Sequence, residues 1–152
     1  MESQQGPPPR HMNIKTTLAP DAKAPTYATN GSACFDFYSR SYAKIAHQQF
    51  HFFNTGVSVE VPEGHVMLIF SRSGHGFNHM TRLVNCVGVI DSDYRGAIAV
   101  KLFNDGGPPL VVHPGDRIAQ GMIVPFPRVT FEVVSKLGST ERGSGGFGST
   151  GS

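Results

Sequence analysis

Apolar residues in this chain fall in short runs broken by glycine, proline, asparagine, aspartate and serine, and they do not recur at helical spacing over any long stretch. Runs of that length bounded by turn formers read as strands. The segments so marked are residues 33–38, 50–53, 57–61, 66–70, 83–90, 97–103, 110–112, 118–124 and 129–134. Two of them alternate strictly: Val57, Val59 and Val61 with Ser58 and Glu60 between, and Val129, Phe131 and Val133. This is the period-2 signature of a strand buried on one face. Pro62-Glu63-Gly64 marks the turn after the first of these. Only residues 73–80 lack a strand pattern, and they predict one short helix or an ordered loop. Many short strands about ten residues apart imply an all-β, jelly-roll-like barrel or sandwich, an architecture that leaves few sheet edges open.

Composition agrees. Hydrophobic residues are 39% without counting 18 glycines, charged residues only 16%, and glycine plus proline come to 29 of 152. The length predicts one domain. Residues 1–12, polar and proline-rich, read as a flexible tail ahead of a chain that could equally begin at Met12. Residues 13–138 read as the β domain and 139–152 as a glycine-rich C-terminal lid. No apolar run approaches the ~18 residues of a membrane span. The N-terminus resembles neither a secretory signal nor a transit peptide, so a cytoplasmic (or nuclear) protein that is not secreted is expected. Cys34 and Cys86 are too few for a disulfide scaffold and lack zinc-site spacing. A net charge of +2 without a basic stripe argues against stable nucleic-acid binding.

Three segments pair glycine with cations or hydroxyls: Arg72-Ser73-Gly74, residues 115–120 and residues 142–151. Glycine lets backbone N–H groups approach an anion, and Arg, Ser and Thr add donors, so together they suggest a polyphosphate. Residues 91–96 carry Asp91, Asp93 and Tyr94 between two apolar runs, which predicts a hairpin tip bearing two carboxylates and a phenol. A carboxylate there can orient or deprotonate water, and a tyrosine ring can pack on a sugar or base. Asp36 lies among apolar residues and reads either as a solvent-facing strand position or as a hard oxygen ligand for Mg²⁺. The pairs His75/His79 and His47/His51 have i, i+4 spacing but no third ligand nearby, and zinc binding is set aside.

In order, residues 33–37, 72–74, 88–96, 115–120 and 142–151 resemble the five motifs of the trimeric dUTPase family. The resemblance implies a β-rich homotrimer whose sites draw on more than one subunit. It also implies Mg²⁺-assisted hydrolysis of dUTP to dUMP and pyrophosphate, which limits uracil in DNA and supplies dUMP. By position it implies that Asp91 activates water and Tyr94 packs on deoxyribose. Asn85 and the backbone of Val87, Gly88, Val89 and Ile90 would hold the uracil edge, with Phe147 stacking over the base. Arg72, Ser73, Gly74, Gln120, Arg142, Ser144, Gly146, Ser149 and Thr150 would bind phosphates, and Asp36 would hold Mg²⁺ through water. Two positions depart from the family pattern. Cys34 replaces a glycine, which leaves the backbone geometry near Asp36 open. Ser71 replaces a proline, which removes a φ restraint but no donor. The alternatives are a dCTP deaminase on the same fold and a binding protein switched by nucleotide, with a regulatory partner.

Overall fold

A computed structural model describes residues 11–146. Twelve strands and one short helix follow in the order β1 (Thr16–Leu18), β2 (Thr26–Tyr27), β3 (Phe35–Tyr38), β4 (Ala43–Ile45), β5 (Phe50–Asn54), β6 (Val57–Val59), β7 (His65–Phe70), α1 (Ser73–His79), β8 (Thr81–Leu83), β9 (Val87–Ile90), β10 (Ala99–Asn104), β11 (Leu110–Val112) and β12 (Arg117–Pro125). All pairings are antiparallel: a five-stranded sheet β2-β3-β12-β7-β9, a three-stranded sheet β5-β10-β8, and the pairs β1-β6 and β11-β4. The all-β expectation is met.

The five-stranded sheet explains most of the sequence around it. Its core face carries Phe35 and Phe37 on β3, Ala119, Gly121 and Ile123 on β12, and Met67 and Ile69 on β7, in the register Phe37↔Ala119, Phe35↔Gly121↔Ile69 and Ile123↔Met67. Gly121 is required there, because a Cβ would lie 2.8 Å from the Phe35 ring and 2.9 Å from the Phe37 ring. The opposing layer supplies Phe53, Leu83, Val100 and Leu102, all buried with Ile45, Val57, Ile98, Val112 and Ile118 in one cluster. Non-directional burial of this apolar surface is the main favourable term for a sheet protein of this size.

Strands β1, β2 and β4 span only two or three residues, too few to display a period. The predicted strand at 83–90 is two strands in different sheets, β8 on β10 and β9 on β7. Between them the chain reverses at Cys86, which takes a left-handed φ of 61°. Residues 91–96 are likewise not a hairpin tip, because β9 and β10 lie in different sheets and the segment is a crossover between layers. The alternating stretch 129–134 forms no strand. Val129, Phe131 and Val133 stand 68%, 89% and 97% exposed, since no described strand of this chain lies beside them.

Helix α1 fills the place where no strand pattern was found. Arg72 precedes it in extended conformation, and Met80 ends it at φ 48° while donating to the Gly76 carbonyl. Asn104, fully buried, holds the neighbouring loop by accepting from Gly106 and Gly107 and donating to the carbonyls of Ile45 and Pro108. Gly107 lies against the His79 carbonyl so closely that any side chain would strike backbone.

Candidate active site

On the five-stranded sheet, the face away from the core has one row that crosses every strand: Thr26, Asp36, Gln120, Phe70 and Val87 are mutual register partners. This row brings three sequence segments together. Asp36 is supplied by β3, Gln120 by β12, and Phe70 is the last residue of β7 before Ser71-Arg72-Ser73. Asp36 is only 5% exposed, and not the solvent-facing strand position that its surroundings allowed. It is held by two cations: Arg72 Nε donates to Oδ1 at 3.0 Å and Arg117 Nη1 to Oδ2 at 3.4 Å.

Arg117 reaches Asp36 because of a β-bulge. Between Arg117 and Ala119 the register shifts, so that Arg117 opposes Tyr38 and Ala119 opposes Phe37. The extra residue, Ile118, turns into the core at 0% exposure, and Arg117 is thereby thrown to the Asp36 side. A buried carboxylate needs such partners to remain charged. Two guanidiniums against one carboxylate leave a surplus positive charge, and both arginines keep a solvent-facing part, 23% for Arg72 and 45% for Arg117. Asp36 pairs with both Thr26 and Gln120 although Cys34 stands two residues before it, and burial and the Asp36 charge push the Cys34 thiol pKa up.

Gln120 Nε2 donates to the Ser71 carbonyl at 3.1 Å, leaving its second N–H and its carbonyl oxygen unused by that bond. Ser71, Arg72, Ser73, Gly76 and Phe77 line an open cleft, in which Phe77 is 89% exposed. On the helix above it, burial, with help from the charges of Arg72 and His79, pushes the His75 pKa down to about 4. The Nδ1 atoms of His75 and His79 are buried without hydrogen-bond partners, and no group of three metal-ligating side chains occurs among the described residues.

The base-recognition candidates lie at the other end of the row. Asn85 sits in the turn before β9, where its carbonyl accepts from the Val87 N–H at 2.6 Å. Val87 and Val89 are exposed, Ile90 half-buried, and Gly88 lies against Ile69 so closely that a Cβ there would come within 3.0 Å of the Ile69 side chain. Asp91 and Asp93 line a separate cleft with Glu60, Glu63, Arg95 and Arg128. The Tyr94 ring lies directly over Gly96, its hydroxyl donating to the Ala97 carbonyl at 3.2 Å. In one chain, therefore, Asp36, Arg72 and Gln120 are joined, whereas Asp91 lies on a different cleft and Tyr94 folds back over Gly96. Arg142 donates to the Gly145 carbonyl within its own turn, with Ser144 beside it. Gly146 ends the described residues, and Phe147, Ser149 and Thr150 lie outside them. Arg117 and the Ser71 hydroxyl were missed by sequence reasoning. Arg117 lay inside a quoted segment, but only the bulge reveals where it points.

The dUTPase family matches residues 20–151, and the chain belongs to that family. The deoxyuridine 5'-triphosphate nucleotidohydrolase of Anaplasma marginale is 45% identical over 84% of this chain and 88% of its own. That of Anaeromyxobacter sp. is 41% identical over 87% and 90%. Among solved structures, the dUTPase of Staphylococcus bacteriophage 80alpha bound to dUpNHpp superposes with a TM-score of 0.82 at 26% identity, covering 92% of this chain and 99% of that one.

Proposed function

We propose that this chain hydrolyses dUTP to dUMP and pyrophosphate, with water attacking the α-phosphorus. The observation that carries the reading is the Asp36 clamp. A buried carboxylate holds two arginines in register with Gln120, beside the Arg72-Ser73-Gly74 cleft, and leaves net positive charge for a polyphosphate. Family membership and the relatives' shared activity support the choice of substrate.

Asp91 takes a proton from the attacking water as the new P–O bond forms. The bond from the α-phosphorus to the bridging oxygen breaks, and pyrophosphate leaves with that electron pair. Arg72, Ser73, Gly74 and Gln120 bind the phosphates and offset the charge that builds on them, and Arg142, Ser144, Gly146, Ser149 and Thr150 complete that shell from the tail. Tyr94 carries the deoxyribose on a face too close for a 2′-hydroxyl. Asn85 and the backbone from Val87 to Ile90 read the uracil edge, which Phe147 covers. A site built to hydrogen-bond one edge discriminates strongly against a base that leaves its groups unpaired.

The chemistry of the donor set fits Mg²⁺ carried chiefly by the substrate. Among the described residues no cluster of three ligands exists, and both Asp36 oxygens already accept from arginine, which supports contact of Asp36 with the metal through water. Mg²⁺ favours this arrangement because it retains waters and binds phosphate oxygens readily. When bound it neutralises charge on the triphosphate.

Assembly as a homotrimer is part of the same reading. Apolar residues with strand periodicity at 129–134, together with Leu137 at 81% exposure, are a surface that a single chain does not cover. The separation of the Asp91 cleft from the Arg72 cleft supports a site completed by a neighbouring copy, with residues 139–152 closing it as a lid. Hydrolysis in H₂¹⁸O tests the reaction: the label should enter dUMP and not pyrophosphate. Label in pyrophosphate would place the attack on the β-phosphorus and reject the mechanism.

A further inference from the structure

Ser71 makes two connections that the reaction scheme has not used. Its Oγ accepts from the backbone N–H of Leu83 at 2.8 Å, and its carbonyl accepts from Gln120 Nε2 at 3.1 Å. Leu83 is 2% exposed, so its N–H has no ready replacement in water. Strand β8 pairs only with β10 among the described strands, so the Ser71 hydroxyl joins β8 to the end of β7, which belongs to the other sheet.

The position of this bond matters. Ser71 immediately precedes Arg72, so whatever fixes its backbone fixes the start of the Arg72-Ser73-Gly74 segment and the carbonyl on which the Gln120 amide rests. On the far side, Leu83 opens the turn that leads through Asn85 to β9, and its carbonyl accepts from Cys86 at 3.3 Å. One half-buried hydroxyl thus ties the phosphate cluster to the base-reading turn. The sequence comparison foresaw only the loss of a φ restraint at this residue. The structure supplies a hydrogen bond in its place.

We propose that Ser71 is a positioning residue for triphosphate binding, aligning Arg72 and the Gln120 amide through its bond to Leu83. The proposal rests on the reading of Arg72 and Gln120 as phosphate ligands. Losing the bond frees a short backbone segment to shift, and a few tenths of an ångström suffice to weaken two charge-assisted contacts.

Steady-state dUTP turnover, the Kd for dUpNHpp and the thermal midpoint should be measured for wild type and for Ser71→Ala, Ser71→Cys and Ser71→Thr. Cysteine keeps a γ atom in place of the serine oxygen, larger and a weaker acceptor, so it serves if alanine impairs folding. The alanine variant should raise KM and Kd about tenfold, the scale of one hydrogen bond to a buried group, while kcat changes by less than about threefold. Cysteine should fall between alanine and wild type, and threonine should restore both constants to within about twofold. A merely structural role predicts a lower thermal midpoint with KM and Kd unchanged, and that result would overturn the proposal. Gln120→Ala is measured alongside. Unchanged Kd in that variant would remove Gln120 from the phosphate site, a failure of the parent reading that the serine series does not share.

Discussion

Replacing Asp36 by asparagine separates two accounts of that carboxylate, a clamp for arginines and a metal ligand. The change keeps the shape but removes the charge, and it turns one of the two acceptors into a donor facing a guanidinium. Breaking a buried ion pair from one side typically costs ~3–5 kcal/mol. Here both arginines keep contact with water, at 23% and 45% exposure, and the Arg117 contact is long at 3.4 Å. We therefore expect about 2 kcal/mol of lost stability, read as a lower urea midpoint at unchanged slope. The effect on substrate has two opposing parts. Without the carboxylate the cleft gains positive charge, worth ~1 kcal/mol or less toward a phosphate in a solvated cleft. Against this, Arg72 loses the partner that aims it, which forfeits a charge-assisted bond of ~1.5–3 kcal/mol. Alignment wins, and KM for dUTP should rise roughly tenfold. The Mg²⁺ concentration giving half-maximal rate should stay within about threefold, because the clamp acts on protein cations and not on the metal. A large upward shift in that concentration, with stability unchanged, would refute the clamp and restore Asp36 as chiefly a Mg²⁺ residue.

Four further outcomes follow from the same geometry. Asp91→Asn should lower kcat by about a hundredfold or more while the Kd for dUpNHpp holds, as expected when a positioned base is lost; undiminished turnover would reject its role. In Gly96→Ala the new Cβ would lie 2.6 Å from Tyr94 Cζ, so the ring must swing aside; the fold should survive while kcat/KM for dUTP falls and the ratio of dUTP to UTP rates drops. His75 stays neutral in the folded chain down to about pH 4, whereas the unfolded chain takes up its proton near pH 6.5, so stability rises with pH across that window and is lost on acidification; His75→Gln should flatten the pH dependence of the thermal midpoint between pH 4 and pH 6.5. Deleting residues 141–152 should leave the molecular mass measured by light scattering at that of the proposed trimer, because every described strand lies upstream, yet cut kcat/KM by roughly tenfold or more.

How much of this was legible in the sequence depended on what each residue needed from the rest of the fold. The alternation of Val57 and Val59 is local, and β6 lies where it predicted. Residues 83–90 read as one strand across Asn85, because the reversal at Cys86 uses no glycine or proline and a single asparagine marks a turn only weakly. The stretch 129–134 has a strand's pattern without a strand's partner within the described chain, and period alone cannot supply one. In the site, the Arg72 segment stood out by its composition, Asp36 read two ways, and Gln120 entered through the family resemblance, but that Asp36 and Gln120 share one row of a sheet beside Arg72 follows from register, which is a long-range property. Arg117 needed the bulge, and Ser71 needed Leu83, from a different sheet, to give its hydroxyl a purpose.

The central claim, selective hydrolysis of dUTP, is tested most directly by pyrophosphate release from purified protein given dUTP, dTTP, dCTP or UTP with Mg²⁺, and again with EDTA. Release from dUTP alone, abolished by EDTA, is the predicted result, since the proposed reading assigns uracil selection to the Asn85 to Ile90 segment and deoxyribose selection to Tyr94. Comparable release from UTP or dTTP would contradict that assignment of selectivity, and no release from dUTP in the presence of Mg²⁺ would contradict the proposed function itself.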